Sequence, residues 1–139
     1  MIRAEGSRLI HIAHGEVPSA PAMAMPLRLA GLYQAISAVI AEYRPARAAV
    51  EEVFVNQNAQ STLKLAQARG TVLAACGAAA LPVAEHSARL VKQCVVGTGG
   101  ADKRQVQAML RVLLPGVAVS GADAADALAV AIADAHLTR

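Results

Sequence analysis

The chain has 139 residues, which is enough for one compact domain and too few for two ordinary ones. Hydrophobic residues make up 55% of the chain and aromatic residues only 2%, so the core must be built from Ala, Val, Leu and Ile. The formal charge of +3 is modest, the first residues lack the apolar segment of a secretory signal, and no uncharged stretch is long enough to span a bilayer. These features predict a single soluble domain, residues 1–139.

In chain order, an alternating pattern predicts a strand over residues 8–13, and a second, more buried strand is predicted over residues 48–55. Apolar residues at three- and four-residue spacing predict a helix between them, from Pro26 to Pro45. A second helix is predicted over residues 58–76, followed by a short strand over residues 81–85 and an amphipathic helical segment over residues 88–96. Two more helices are predicted over residues 102–114 and 123–137. Strands alternating with helices indicate an α/β domain.

The helix predicted over residues 58–76 carries a stripe of small residues at four-residue spacing, Ala66, Gly70, Ala74 and Ala78. Glycine inside a helix is less favourable than alanine by about 1 kcal/mol, so Gly70 needs a physical reason. We expect the close approach of another backbone at this stripe.

Two pairs of carboxylates stand out. Asp123 and Asp126 share one face at the start of the last helix, which suits a hard cation such as Mg²⁺ but equally suits acids that complement the helix dipole. Asp134 lies on nearly the same face, but it is about 16 Å further along the helix, and we predict a surface position for it. Glu51 and Glu52 interrupt an apolar strand, and because neighbours on a strand point to opposite faces, only one of them can join a given site. Periodicity does not select between them.

Basic residues collect in the middle of the chain. Between residues 61 and 111 there are seven Lys and Arg residues but only two acidic ones, and this segment lies between the two carboxylate pairs. A basic surface beside carboxylates predicts a polyanion, such as DNA, held over a metal site. The two cysteines, Cys76 and Cys94, have no metal-ligand spacing and are predicted to be free thiols.

Several of these segments, taken together, are similar to one family over nearly the whole chain. They are Glu51-Glu52-Val53-Phe54, the run STLKLAQARG over residues 61–70, Leu81-Pro82-Val83, Val91-Lys92-Gln93, Val95-Val96-Gly97 with Lys103, and DAADALA over residues 123–129. In order and spacing they resemble the RuvC-type Holliday junction resolvases. The resemblance implies an RNase H-like fold, a mixed sheet flanked by helices. It also implies a homodimeric, Mg²⁺-dependent endodeoxyribonuclease that nicks opposed strands of four-way junctions. Such an enzyme acts in homologous recombination and DNA repair, beside a branch-migration motor in the bacterial cytoplasm.

The resemblance also implies roles for single residues. Glu51, Asp123 and Asp126 match the family's carboxylates and would hold Mg²⁺ or Mn²⁺, with two ions in the complete site, whereas Lys92 and Lys103 match basic residues near the scissile phosphate. The remaining DNA contacts are expected from an aromatic residue implicated in engaging the junction and from further basic side chains, namely Phe54, Lys64, Arg69 and Arg104.

The chain departs from the family pattern at its start. The family's first, central strand carries an Asp in a Gly-Ile-Asp-Pro-Gly-like motif, and we find no counterpart, because Met1 aligns with the start of the second strand. We therefore expect that Met1 is not the natural start, and that an upstream extension would be more stable and at least about a hundredfold faster. The alternative is a catalytically inactive module for junction binding or dimerisation. A hydrolase of small phosphate esters is disfavoured, because a small substrate needs no extended basic surface.

Overall fold

A computed structural model describes residues 1–52 and 58–138. The elements, in chain order, are β1 Ile2–Glu5, β2 Arg8–His11, α1 Met25–Tyr43, β3 Ala48–Glu51, α2 Ala59–Ala78, β4 Val83–His86, α3 Ala88–Val96, α4 Lys103–Leu113 and α5 Ala122–Leu137. The five predicted helices are confirmed, with ends within two residues of those expected. Asn58 and Asp102 cap the starts of α2 and α4 with their side chains, and Asn and Asp are among the residues preferred at the N-cap position.

The chain divides into two compact units, and the first contains residues 1–16, 49–52 and 85–138. Its core is built around α5, whose buried Leu128 and Ile132 belong to one cluster with Val91 of α3 and Leu110 of α4. Leu9 of β2 joins the same cluster. The core is therefore aliphatic, as the scarcity of aromatic residues predicted, and α5 is its central element.

The four strands in the described residues form two separate two-stranded sheets. β1 and β2 are antiparallel, with Ile2 opposite His11 and Glu5 opposite Arg8. For β3 and β4, the Ala48 amide donates to the Pro82 carbonyl at 2.8 Å and the Glu52 amide donates to the His86 carbonyl at 2.9 Å. Both partners advance by four residues between these bonds, as in a parallel pair. The strand predicted over residues 48–55 ends at Glu51, and its last three positions lie outside the described residues.

The second unit contains residues 17–48 and, after the undescribed segment, residues 58–84. Its two helices, α1 and α2, pack on each other. Burial is shallow, since α1 has no fully buried residue and α2 has only Ala75 and Cys76. Leu63 of α2 leaves 60% of its surface exposed. Within the described residues of this chain, a face of α2 is therefore apolar and uncovered.

The small-residue stripe of α2 lies on exposed surface, and a Cβ added at Gly70 would meet no atom within 4 Å. The expected close approach of a second backbone is therefore absent from the described part of this chain. The reason is that α1 packs elsewhere on α2 and leaves the stripe open to solvent.

The prediction of a surface position for Asp134 is wrong. Asp134 is only 6% exposed and its Oδ1 lies 3.0 Å from Nε2 of His86, which is also buried. The physical reason is that Asp134 follows buried Val130 by four residues and thus falls on the core-facing side of α5.

The free state of Cys76 and Cys94 is confirmed. In the part of the chain that the structure describes, no helix combines the length and apolar character needed to cross a lipid bilayer.

Candidate functional site

Glu51, the last residue of β3, interacts electrostatically with three charged side chains from other elements of the first unit. Burial raises the pKa of the Glu51 carboxyl above its ordinary value, and the negative charge of Asp126 raises this pKa further. Lys92 and Lys103 act on the same pKa in the opposite direction. Two carboxylates and two ammonium groups from β3, α3, α4 and α5 are thus within electrostatic reach of one another.

The sequence of α5 explains why its two acids face outward. Asp123 and Asp126 are the second and fifth residues of the helix and are exposed, whereas Ala124, Ala125 and Leu128 are buried. The three-residue spacing places both carboxylates on one face, about one turn apart. Packing of the alanine-rich side into the core therefore directs both acids to the surface, where Asp126 interacts with Glu51.

Lys103 reaches Asp126 from the start of α4. Its Nζ lies 3.8 Å from Asp126 Oδ2, and the two side chains are 76% and 51% exposed. An exposed pair of this kind contributes only about 0–1 kcal/mol to stability. The position of Lys103 is set instead by the capping box before it, in which Asp102 and Gln105 satisfy each other's backbone amides at 2.8 Å. Lys103 is therefore best understood as a charge placed beside the carboxylates.

His86 connects the strand of Glu51 to the helix of Asp126. Its carbonyl accepts a hydrogen bond from the Glu52 amide, and its buried imidazole pairs with Asp134 of α5. Sequence reasoning assigned no role to His86 and Asp134. The available signal was the position of Asp134 within the apolar stripe of α5, where an unpaired carboxylate would be unfavourable.

The remaining predicted site residues are Lys64, Arg69, Phe54 and Arg104. Lys64 and Arg69 lie on α2 in the second unit, with Lys64 exposed, and Phe54 lies outside the described residues. Arg104 is exposed on α4, next to Lys103. Within residues 1–52 and 58–138, no three Asp, Glu, His or Cys side chains converge closely enough to hold one metal ion.

Comparison with known proteins identifies the family. The family model of the crossover junction endodeoxyribonuclease RuvC matches residues 1–134. The chain belongs to the RuvC family. The RuvC protein of Erythrobacter litoralis is 66% identical over 99% of this chain and 84% of its own length. The RuvC protein of Sphingopyxis alaskensis is 59% identical over 100% of this chain and 89% of its own length.

Solved structures confirm the predicted RNase H-like fold class. Thermus thermophilus RuvC superimposes with a TM-score of 0.85 at 32% identity, over 100% of this chain and 85% of that protein. The same protein in complex with a Holliday junction substrate gives a TM-score of 0.89 over 99% of this chain and 85% of the other. The family resemblance stated from the sequence is confirmed, and with it the class of enzyme, a nuclease that needs a divalent metal.

The acidic residues of this RuvC-family chain suit such a metal. Carboxylate oxygens are the ligands that hard divalent cations prefer, and Mg²⁺ usually takes only one or two protein carboxylates, with water and phosphate completing its shell. Burial is the main cause of the raised pKa of Glu51, and the charge of Asp126 raises it further because the two ionised carboxylates repel each other. A divalent cation between them would relieve this repulsion. The pair Glu51 and Asp126 therefore fits a cation, and Asp123 lies one turn away.

Proposed function

We propose that this protein is a structure-selective endonuclease that resolves Holliday junctions by paired phosphodiester hydrolysis in recombination and DNA repair. The observation that carries the proposal is that Glu51 interacts electrostatically with Asp126, Lys92 and Lys103, and that Lys103 also pairs with Asp126. Membership of the RuvC family supports the reaction. The relative solved with a Holliday junction substrate supports the type of DNA. We further propose that the two units form one resolvase domain, which acts beside a branch-migration motor. We place this activity in the bacterial cytoplasm, since the relatives come from bacteria.

In the mechanism that we propose, Glu51, Asp123 and Asp126 hold Mg²⁺, with Mn²⁺ as a substitute. The complete site would hold two ions. When bound, they would stabilise the attacked phosphate as Lewis acids and lower the pKa of water. The protein contributes the alignment of the carboxylates through β3 and α5. Lys92 and Lys103 place positive charge beside the carboxylates, where they can hold the scissile phosphate in position. Phe54, Lys64, Arg69 and Arg104 are proposed to make further contacts with the DNA.

The proposed function is tested by cleavage of a synthetic four-way junction in the presence of Mg²⁺, with a linear duplex of the same sequence as the control. We expect symmetric nicks in opposed strands of the junction and at least about a hundredfold slower cleavage of the duplex, because only the junction presents two strands correctly to two sites. Equal cleavage of both DNAs would contradict structure selectivity.

A second candidate is a module that binds junctions without cleaving them. The observation in its favour is that, in the described residues, the carboxylates do not converge as a group of three. Tight junction binding without nicks in either Mg²⁺ or Mn²⁺ would favour this candidate over the nuclease.

The two lysines at the site should contact phosphate and not bases. We expect Lys92→Ala and Lys103→Ala each to weaken junction binding for all arm sequences. Each substitution should also reduce the slope of log K against log salt by about one unit, because a lysine that binds a phosphate releases about one counterion from the DNA. Fluorescence anisotropy across a salt series measures the slope. Arg3→Ala is the matched control, since Arg3 is an exposed basic residue whose side chain pairs with Glu5 on the β1–β2 hairpin. An unchanged slope in both lysine variants would show that neither lysine contacts the DNA backbone.

We also propose a two-fold homodimer formed through α2. The exposed small-residue stripe and the exposed Leu63 give this helix a surface onto which a second copy can pack closely. An isologous contact would present two sites to opposed strands of a junction. Sedimentation should show a dimer at micromolar concentration, and Gly70→Glu should shift it toward monomer by at least about tenfold in the dissociation constant. Ala108→Glu, on exposed α4 surface, should leave the dimer unchanged. Monomeric wild-type protein would contradict the proposal.

A further inference from the structure

The start of α5 is capped by a residue far away in the sequence. The N-cap position is Gly121, which has no side chain to offer, and no side-chain cap comes from that position. Instead, Oε1 of Glu16 accepts a hydrogen bond from the Ala124 amide at 3.2 Å, across 108 residues of sequence. By contrast, α2, α3 and α4 are capped by their own N-cap residues, Asn58, Ser87 and Asp102.

Gly121 leaves the space that Glu16 occupies. A Cβ added at position 121 would overlap the Glu16 carboxylate, with its Cδ only 2.7 Å away. The φ angle of Gly121 is +95°, a conformation that residues with a Cβ rarely adopt. The absence of a side chain at the N-cap and the presence of the Glu16 carboxylate are therefore two parts of one arrangement.

The amide that Glu16 binds belongs to the turn that carries both acids of α5. Ala124 lies between Asp123 and Asp126, and the first amides of a helix have no partner within the helix itself. A carboxylate at this end satisfies such an amide and complements the helix dipole. Loss of this partner should let the first turn open, and Asp123 and Asp126 would then lose their fixed positions.

We propose that Glu16 is a positioning residue for the catalytic carboxylates, acting through its hydrogen bond to the first turn of α5. In this proposal Glu16 acts through the helix and not through a contact of its own with substrate or ion. This inference rests on the proposed function, because it concerns the acids that would hold the metal.

The first measurement uses metal-free protein. Hydrogen exchange of the Ala124 amide, followed by NMR, should become about three- to tenfold faster in Glu16→Ala, the range expected for loss of a helix N-cap. Glu16→Gln keeps an acceptor oxygen and should stay within about twofold of wild type. Gly121→Ala keeps Glu16 but displaces its carboxylate, so it should behave like Glu16→Ala.

The second measurement is Mn²⁺ binding, followed by the electron paramagnetic resonance signal of the free ion. We expect Glu16→Ala and Gly121→Ala to weaken binding about three- to tenfold, and Glu16→Gln to restore it to within about twofold of wild type. Asn58→Ala is the matched control, because it removes a comparable cap, Asn58 Oδ1 to the Ser61 amide at 3.1 Å, from α2 in the second unit. It should lower stability but leave Mn²⁺ affinity unchanged.

The outcomes separate the inference from the function on which it rests. If wild-type protein binds Mn²⁺ but Glu16→Ala binds it equally well, the positioning role is wrong while the metal site stands. If Glu16→Gln binds Mn²⁺ as weakly as Glu16→Ala does, then the charge of Glu16 supports Mn²⁺ binding and its hydrogen bond does not. That result also overturns the inference. Wild-type protein that binds no Mn²⁺ would contradict the metal site and the positioning role together.

Discussion

Glu51→Gln is expected to slow junction cleavage by at least about a hundredfold, the loss seen when one main stabiliser of a transition state is removed. Glu51 is the carboxylate of β3 that shares the site with Asp126 and the two lysines. Glutamine preserves its size but removes the charge that the metal requires. Single-turnover cleavage in Mg²⁺ measures the loss, and junction binding in Ca²⁺ should change by less than about threefold because the lysines that contact phosphate are retained.

Glu52→Gln is the matched control for this substitution. Glu52 follows Glu51 directly, and adjacent residues in extended chain point to opposite faces. We expect cleavage by Glu52→Gln to stay within about threefold of wild type. A large loss in Glu52→Gln with an active Glu51→Gln would show that the other glutamate belongs to the site.

The stability of Glu51→Gln provides a second check, because it should not fall. The pKa of Glu51 is raised in the folded state, so the folded protein binds this proton more tightly than the unfolded chain does. Stability therefore decreases as pH rises through the window between the unfolded and folded pKa values, and the ionised carboxylate is unfavourable above it. Glutamine removes that charge. Urea unfolding at neutral pH should show an equal or slightly higher stability, because the carboxylate is only partly buried and solvent screens much of the effect.

Asp134→Ala is expected to lower the free energy of unfolding by about 3 kcal/mol, because it leaves the buried imidazole of His86 without this partner. Typical domain stability is about 5–15 kcal/mol, so the loss should be plain in a urea titration. Asp134→Asn keeps an acceptor oxygen near His86 and should lose less. Cleavage should fall as well, because the pair links α5, the helix of Asp126, to the strand next to β3.

The surface pair Arg3 and Glu5 is the matched control for the buried pair. Their charged atoms lie 3.6 Å apart, but the side chains are more than half exposed. Glu5→Ala should therefore lower stability by less than about 1 kcal/mol. If Asp134→Ala and Glu5→Ala lose similar small amounts, the pair of His86 and Asp134 does not stabilise the core as we infer.

The amino-acid sequence by itself determined the helices and the nature of the core. Apolar residues at three- and four-residue spacing and capping residues such as Asn58 and Asp102 act within one or two turns, so they can be recognised from neighbours alone. The pairing of Asp123 with Asp126 is equally local. The run of motifs from Glu51 to Ala129 was sufficient to recognise the family, although periodicity could not select Glu51 over Glu52.

Only the tertiary structure decided which distant groups meet. Glu51 and Asp126 come from β3 and α5, and their repulsion is visible only when both elements pack in one unit. Asp134 was predicted at the surface because it is too far along the helix to share an ion with Asp123, whereas His86 of β4 pairs with it in the core. Glu16 caps a helix 108 residues away, and no local pattern marks it. The physical reason is common to all three: hydrogen bonds and charge interactions depend on distance in space, whereas sequence periodicity reports only the face on which a residue lies within its own element.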